Sequence, residues 1–362
     1  MIIGMEKNEL DTPALWVDLD VMDRNIARMA SCFKEAGVAW RPHIKGIKIP
    51  AIVHKLLDAG AIGVTCAKLG EAEVMAASGV RDILIANQIV GRTKIARLVN
   101  LCRDADVIVS VDCIENAREI SDAASALNSR VRAVIEVNIG MNRCGVEPGQ
   151  PVVDLALEVA KLTSVDLVGV TAWEGGRVVH IKDPDEKKKA CEKVVGTLVG
   201  SANMCRMKGL QMPIVSCGGT GTYTFTSHVS GVTEIQAGGG VLSAVAYKDW
   251  GVDLEYALFV LASVVSRPSA TRAIVDAGQK TMNGGLAMPV VRHLQGVRLA
   301  ALHSEHGILE LENPEVNIRI NDKLDFIVGY GDYTINLHDQ VYAVRKGSVE
   351  AVWDNWARGK QV

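Results

Sequence analysis

The run Arg41-Pro42-His43-Ile44-Lys45-Gly46 closes a short apolar segment and puts a lysine where a strand would end. In a partly buried mouth such a lysine loses stabilisation of its charge, and its neutral amine becomes available to attack a carbonyl. The position also suits a surface lysine in a strand-to-helix loop, and position alone leaves both readings open. His43, two residues earlier, is a candidate acid–base group. Two glycine clusters follow much later, Ser216-Cys217-Gly218-Gly219-Thr220-Gly221-Thr222 and Gln236-Ala237-Gly238-Gly239-Gly240. Glycines let backbone amides approach phosphate oxygens, and threonine hydroxyls add donors. Gly219, Thr220, Gly221, Thr222, Gly238 and Gly239 are therefore the candidate phosphate residues. Either cluster alone reads equally as turn chemistry; the two together are the stronger signal. A lysine for an aldehyde and loops for a phosphate describe pyridoxal 5'-phosphate. Arg143, between Gly140 and Gly145, could reach a cofactor's ring oxygen or pair with a surface carboxylate. Trp173 could wall a pocket or sit as a core indole at a rim.

These residues need a frame that gathers strand ends. Strand candidates with near-continuous apolar character recur at 39–45, 63–67, 82–86, 107–112, 131–138, 165–173, 213–217 and 233–237. Helical patterns fill the gaps at 49–60, 69–78, 93–104, 114–127, 151–162 and 184–208. A further strand at 13–20 precedes a helix over 21–36, which Asp20 could cap and whose apolar positions are Ile26, Met29, Ala30 and Phe33. Alternation of this kind implies parallel strands covered by helices. Eight strands in about 200 residues imply a closed (β/α)8 barrel of the TIM type, with an open doubly wound sheet as the alternative and a weak last helix. In such a barrel the site lies at the C-terminal strand ends, and a phosphate is often held after the seventh and eighth strands. Both glycine clusters fall there. From about 246 the segments become short, rich in β-branched residues and divided by turn signals, as in ALFVLASVVS, VRLAALH and KLDFIVG. They predict an antiparallel β domain, with a helical period only near the end. The division expected is a barrel over 20–245 and a β domain from 1–19 and 246–362.

Composition narrows the class. The 362 residues are 48% hydrophobic, enough for a large core. With 39 basic and 42 acidic residues the net charge is −3 and no like-charged block stands out, which speaks against nucleic acid or an anionic membrane as partner. No run approaches a membrane span, and the start is too polar for a signal segment, so a cytoplasmic enzyme is expected. None of the eight cysteines forms a CxxC pair; buried reduced thiols are the reading for most.

TPALWVDLD, RPHIK, NRCGVEPG, SCGGTGTY, IVDAG, SEHG and TINLHD occur in family order along nearly the whole chain. In these stretches the sequence resembles the D-threonine aldolase and D-serine dehydratase group, of the alanine-racemase-like fold. The resemblance implies that Lys45 carries pyridoxal phosphate. It also implies a barrel joined to a C-terminal β domain, which the residues before the first helix could join, and a homodimer with active sites near the interface. Two departures stand out. Gly46-Ile47-Lys48 replaces the usual Thr-His-Lys after the lysine motif. At the metal motif, alignment on Thr334 puts Tyr330 in the histidine place and Asp332 in the carboxylate place, so one ligand for a divalent ion (Mn²⁺, Mg²⁺ or Zn²⁺) is missing. His338, six residues past Asp332 in a segment that reads as a strand, lies too far along it to share an ion, and nothing in the sequence brings His306 near. Any metal is therefore expected to be held weakly through Asp332 or not at all, with Tyr330 or a histidine handling the substrate hydroxyl's proton. The leading reaction is cleavage of a small β-hydroxy D-amino acid to glycine and an aldehyde. β-Elimination is the runner-up, and racemisation, with Lys45 and a phenol such as Tyr330 as the two bases, is third. A non-catalytic pyridoxal-phosphate-binding protein is a fourth, which the extra β domain counts against.

Overall fold

The computed structural model describes residues 2–362. The chain forms two compact units. One comprises Met29–Lys45, Ile52–Gly238 and Gly359–Val362; the other comprises the N-terminal residues through Arg28, Gly46–Ala51 and Gly239–Arg358.

The first unit is built on eight parallel strands. Their order in the sheet is Ala39–Trp40, Glu234–Ile235, Ile214–Cys217, Val165–Thr171, Val131–Glu136, Asp106–Val111, Asp82–Gln88 and Val64–Cys66. The sheet closes on itself through a parallel bridge between His43 and Thr65. There the Ile44 amide donates to the Thr65 carbonyl at 2.8 Å and the Thr65 amide to the Pro42 carbonyl at 2.9 Å. This is the (β/α)8 barrel, and the open sheet is set aside. Leu84, Ile108, Val134 and Ile214 form an apolar cluster from four of its strands. Each such burial contributes about 1.5–3 kcal/mol. The covering helices include Leu69–Ala77, Arg92–Leu101, Ile114–Ala126, Gln150–Val159 and Pro184–Met207. The longest starts where its sequence says it should, with Pro184 in the first turn and the Asp183 carboxylate accepting the Glu186 amide at 2.8 Å. After the seventh strand only the short helix Tyr223–Thr226 forms, where the helical signal was weak.

Arg41, 2% exposed, donates through Nη1 to Asp82 at 2.5 Å and through Nε to Glu234 at 3.0 Å. Asp82 and Glu234 are the first residues of their strands, so this triad plugs the N-terminal end of the barrel.

The second unit carries a nine-stranded sheet. At its centre Leu258–Ser269 pairs antiparallel with Ala14–Asp18, Arg272–Val275 and Lys323–Ile327. Ala14–Asp18 also lies beside Gln340–Arg345, in parallel, so the sheet is antiparallel but for this one pair among the described residues. The strand expected at 13–20 thus joins the β domain. Trp16 stacks on Phe259 with ring centroids 4.6 Å apart and donates its indole N–H to Asp325 at 2.9 Å. The following helix, Leu19–Ala36, starts earlier than expected because Asp18, not Asp20, caps it: the Asp18 carboxylate accepts the Val21 amide at 3.2 Å. Two further readings change. The end of the chain, where a helical period was expected, forms the strand Ser348–Asp354. The segment around Asp332, expected as a strand, forms the short helix Gly331–Thr334 and the 3-10 turn Ile335–Leu337. Among the described residues, no helix is long and apolar enough to cross a membrane.

Candidate active site

At the C-terminal end of the barrel one indole gathers several of the sequence candidates. Trp173 lies just past the end of Val165–Thr171. Lys45 Nζ stands 5.5 Å from its ring centroid and the Arg143 guanidinium carbon 5.9 Å. Gly219 lies against the same ring, since a Cβ there would come within 2.8 Å of Trp173 Nε1. Lys45 is half-buried, and its amide donates to His43 Nδ1 at 3.4 Å, which leaves any neutral-ring proton of His43 on Nε2. The His43 backbone amide donates to the Gln236 carbonyl at 2.8 Å. Gly238 lies flat against His43: a Cβ there would be 2.2 Å from the His43 carbonyl oxygen. Inside the barrel, the Gln236 side-chain amide donates to Ser216 at 2.8 Å and Thr171 at 3.0 Å. Arg143 is exposed and reaches Glu136 at 4.0 Å, while Gln88 donates to Glu136 at 2.6 Å. Burial pushes the Glu136 carboxyl above its usual range, and Gln88 and Arg143 oppose that only in part.

The first glycine loop is more tightly tied than its sequence suggested. The Gly219 amide donates to Thr222 Oγ1 at 3.2 Å, and the Thr222 hydroxyl donates to Glu174 at 2.5 Å. Thr220 is buried. Among the described residues, no protein partner is found for the amides of Gly221 and Gly238. Glu174 was not singled out from the sequence. Its only signal was its place next to Trp173 at a strand end, which a solvated glutamate would share.

Tyr330, Asp332 and Gly239 belong to the second unit. A Cβ at Gly239 would lie 2.1 Å from the Tyr247 hydroxyl. Tyr330 donates its phenol proton to Asp332 Oδ2 at 2.9 Å, and its ring meets those of Tyr247, Trp250 and Tyr333 edge-on, at 5.7, 6.0 and 5.1 Å. Burial, with Tyr247 and Asp332 adding to it, drives the Tyr330 phenol well above its ordinary value, so it stays protonated at neutral pH. Gly46 packs against the other Asp332 oxygen: a Cβ there would lie 2.2 Å from Oδ1. His338 Nε2 is 2.9 Å from the Thr281 carbonyl, and burial lowers its pKa.

Comparison with known proteins bears on this arrangement. The family profile for the N-terminal domain of alanine racemase matches residues 17–243, and that for a serine dehydratase domain matches 257–344. D-threonine aldolase of Arthrobacter sp. is 33% identical, over 97% of this chain and 93% of its own. The chain belongs to the D-threonine aldolase family. A 3-hydroxy-D-aspartate aldolase of Paracoccus denitrificans is also 33% identical, over 99% of this chain and 94% of its own. The crystal structure of D-threonine aldolase from Filomicrobium marinum superposes with a TM-score of 0.96 at 36% identity, covering 99% of this chain and 98% of that one. As a member of the D-threonine aldolase family, the chain is an enzyme of the pyridoxal-phosphate-dependent lyase type.

The residues at the barrel mouth fit that cofactor. They offer an amine at a strand end, an indole face beside it and backbone amides without partners in a glycine loop. The donor set around Asp332 does not fit a divalent ion. Asp332 accepts the proton of the Tyr330 phenol, and a phenol held protonated is a poor ligand for such an ion.

Proposed function

We propose that this enzyme cleaves the Cα–Cβ bond of a small β-hydroxy D-amino acid, giving glycine and an aldehyde. The observation that carries the reading is the meeting of Lys45, Arg143 and Gly219 on the one indole of Trp173. Pyridoxal phosphate, when bound, supplies the electron sink for the charge left on Cα. Lys45 is its point of attachment, Trp173 walls the ring, and Arg143 reaches the ring oxygen. Gly219, Thr220, Gly221, Thr222, Gly238 and Gly239 line the phosphate pocket, with the Gly221 and Gly238 amides as donors. Tyr330 takes the β-hydroxyl proton at Oη as its own passes to Asp332 Oδ2, along the hydrogen bond already formed. His43, its Nδ1 facing the Lys45 amide, offers Nε2 for proton transfer in the barrel. No step requires a metal, or at most one held weakly through Asp332 and water. β-Elimination is the second reading, favoured by the match of residues 257–344 to a serine dehydratase domain. The enzyme works as a homodimer in the cytoplasm; its eight cysteines, none of them in a disulfide, suit a reducing compartment.

The test is incubation of the purified protein with D- and L-β-hydroxy amino acids, with glycine, aldehyde, keto acid, ammonia and inverted isomer all assayed. Glycine and aldehyde from the D series are expected. Keto acid and ammonia in their place would move the assignment to elimination. Activity should persist in EDTA, and Asp332→Ala should impair it less than Lys45→Ala. Complete loss in EDTA with recovery on adding Mn²⁺ would overturn the metal-independent reading.

A further inference from the structure

Glu174 has no exposed surface, and burying a carboxyl group is unfavourable unless its oxygens are bonded. Here both are. Oε2 accepts the Gly218 amide at 3.2 Å, and Oε1 accepts the Thr222 hydroxyl at 2.5 Å. The Thr222 oxygen in turn accepts the Gly219 amide at 3.2 Å. One loop amide and one hydroxyl therefore bond to a carboxyl group supplied by the neighbouring strand end, and the next amide is tied to it through that hydroxyl. Within the loop the Thr222 amide also donates to the Gly219 carbonyl at 3.0 Å, which closes the turn around Thr220 and Gly221. The Thr222 hydroxyl has one proton, and Glu174 takes it, so that hydroxyl cannot also donate to a phosphate.

We propose that Glu174 is the positioning residue of the phosphate loop: by binding Gly218 and Thr222 it fixes the turn that leaves the Gly221 amide for the cofactor's phosphate. Thr222 then serves the phosphate through loop shape. The proposal rests on the pyridoxal phosphate reading and adds a residue that touches no reacting atom. Fixing the loop beforehand spares the cofactor the cost of ordering it, so the effect belongs to affinity for the phosphate rather than for the pyridine ring.

The test compares pyridoxal phosphate with pyridoxal, which keeps the aldehyde and lacks the phosphate, by spectroscopic titration of the apoenzyme. Glu174→Gln and Thr222→Val should each weaken pyridoxal phosphate about tenfold and leave pyridoxal within about twofold. The double variant should be no weaker than the worse single, because both act along one chain of bonds. Thr222→Ser, which keeps the hydroxyl, should restore affinity; this Val/Ser pair carries the test if Glu174→Gln does not fold. Equal weakening of both ligands, multiplicative losses in the double variant, or no change in either single would overturn the proposal. Failure of the unsubstituted protein to bind pyridoxal phosphate at all would instead overturn the cofactor reading on which it stands.

Discussion

Arg41 and Lys45 lie four residues apart at one edge of the same barrel, and their surroundings differ in kind. Arg41, at the N-terminal end, is sealed between Glu234 and Asp82. Burial works against its charge, but the two carboxylates outweigh that and hold its pKa above the ordinary value. Lys45, at the C-terminal end, is half-buried against an indole face. Around it the fixed charges are loosely matched, with Arg143 and Glu136 4.0 Å apart. The first cation is spent on holding strands together. In the proposed site the second is the point of cofactor attachment, which would match the split between the stability face and the catalytic face of a (β/α)8 barrel.

Substitutions at the two ends should therefore fail in different ways. Lys45→Ala should have the largest effect, lowering turnover on the order of 10³-fold or more with little change in the unfolding midpoint. An unfolding loss as large as the activity loss would erase the distinction. Arg41→Ala should do the reverse. It strands Glu234 in the core and should cost about 3–5 kcal/mol in urea unfolding, while turnover per folded molecule stays near that of the unsubstituted enzyme. A smaller effect is expected at Glu136. Its carboxyl group holds its proton more tightly in the folded state, so its contribution to stability is full below the ordinary value of 4.5 and is lost as pH rises through the raised folded value. Glu136→Gln should flatten the decline of stability with pH over that window. A slope unchanged by the substitution would remove Glu136 from the account.

Much of this was legible in the chain because the signals are local. Eight apolar runs at strand length, the first six each followed by a helical period, point to a barrel, and the runs ending at Lys45, Trp173 and Cys217 bring their loops to one end of it. What escaped was non-local. Glu174 reads as a loop glutamate until Gly218 and Thr222, 44 and 48 residues on, fold back onto it. Nothing near Gly46 in the chain shows that the Asp332 carboxylate packs against it. The strand misread around Asp332 arose because TINLHD has β-branched and apolar residues in alternation, whereas Tyr330 and Gly331 open a helical turn there.

The central claim is that Lys45 holds the cofactor, and it has a direct test. The purified enzyme, loaded with pyridoxal phosphate and reduced with borohydride, is digested and its peptides mapped. The account predicts the pyridoxyl group on the peptide containing Lys45 and its absence in Lys45→Ala; its appearance on Lys48 or Lys68 would contradict it.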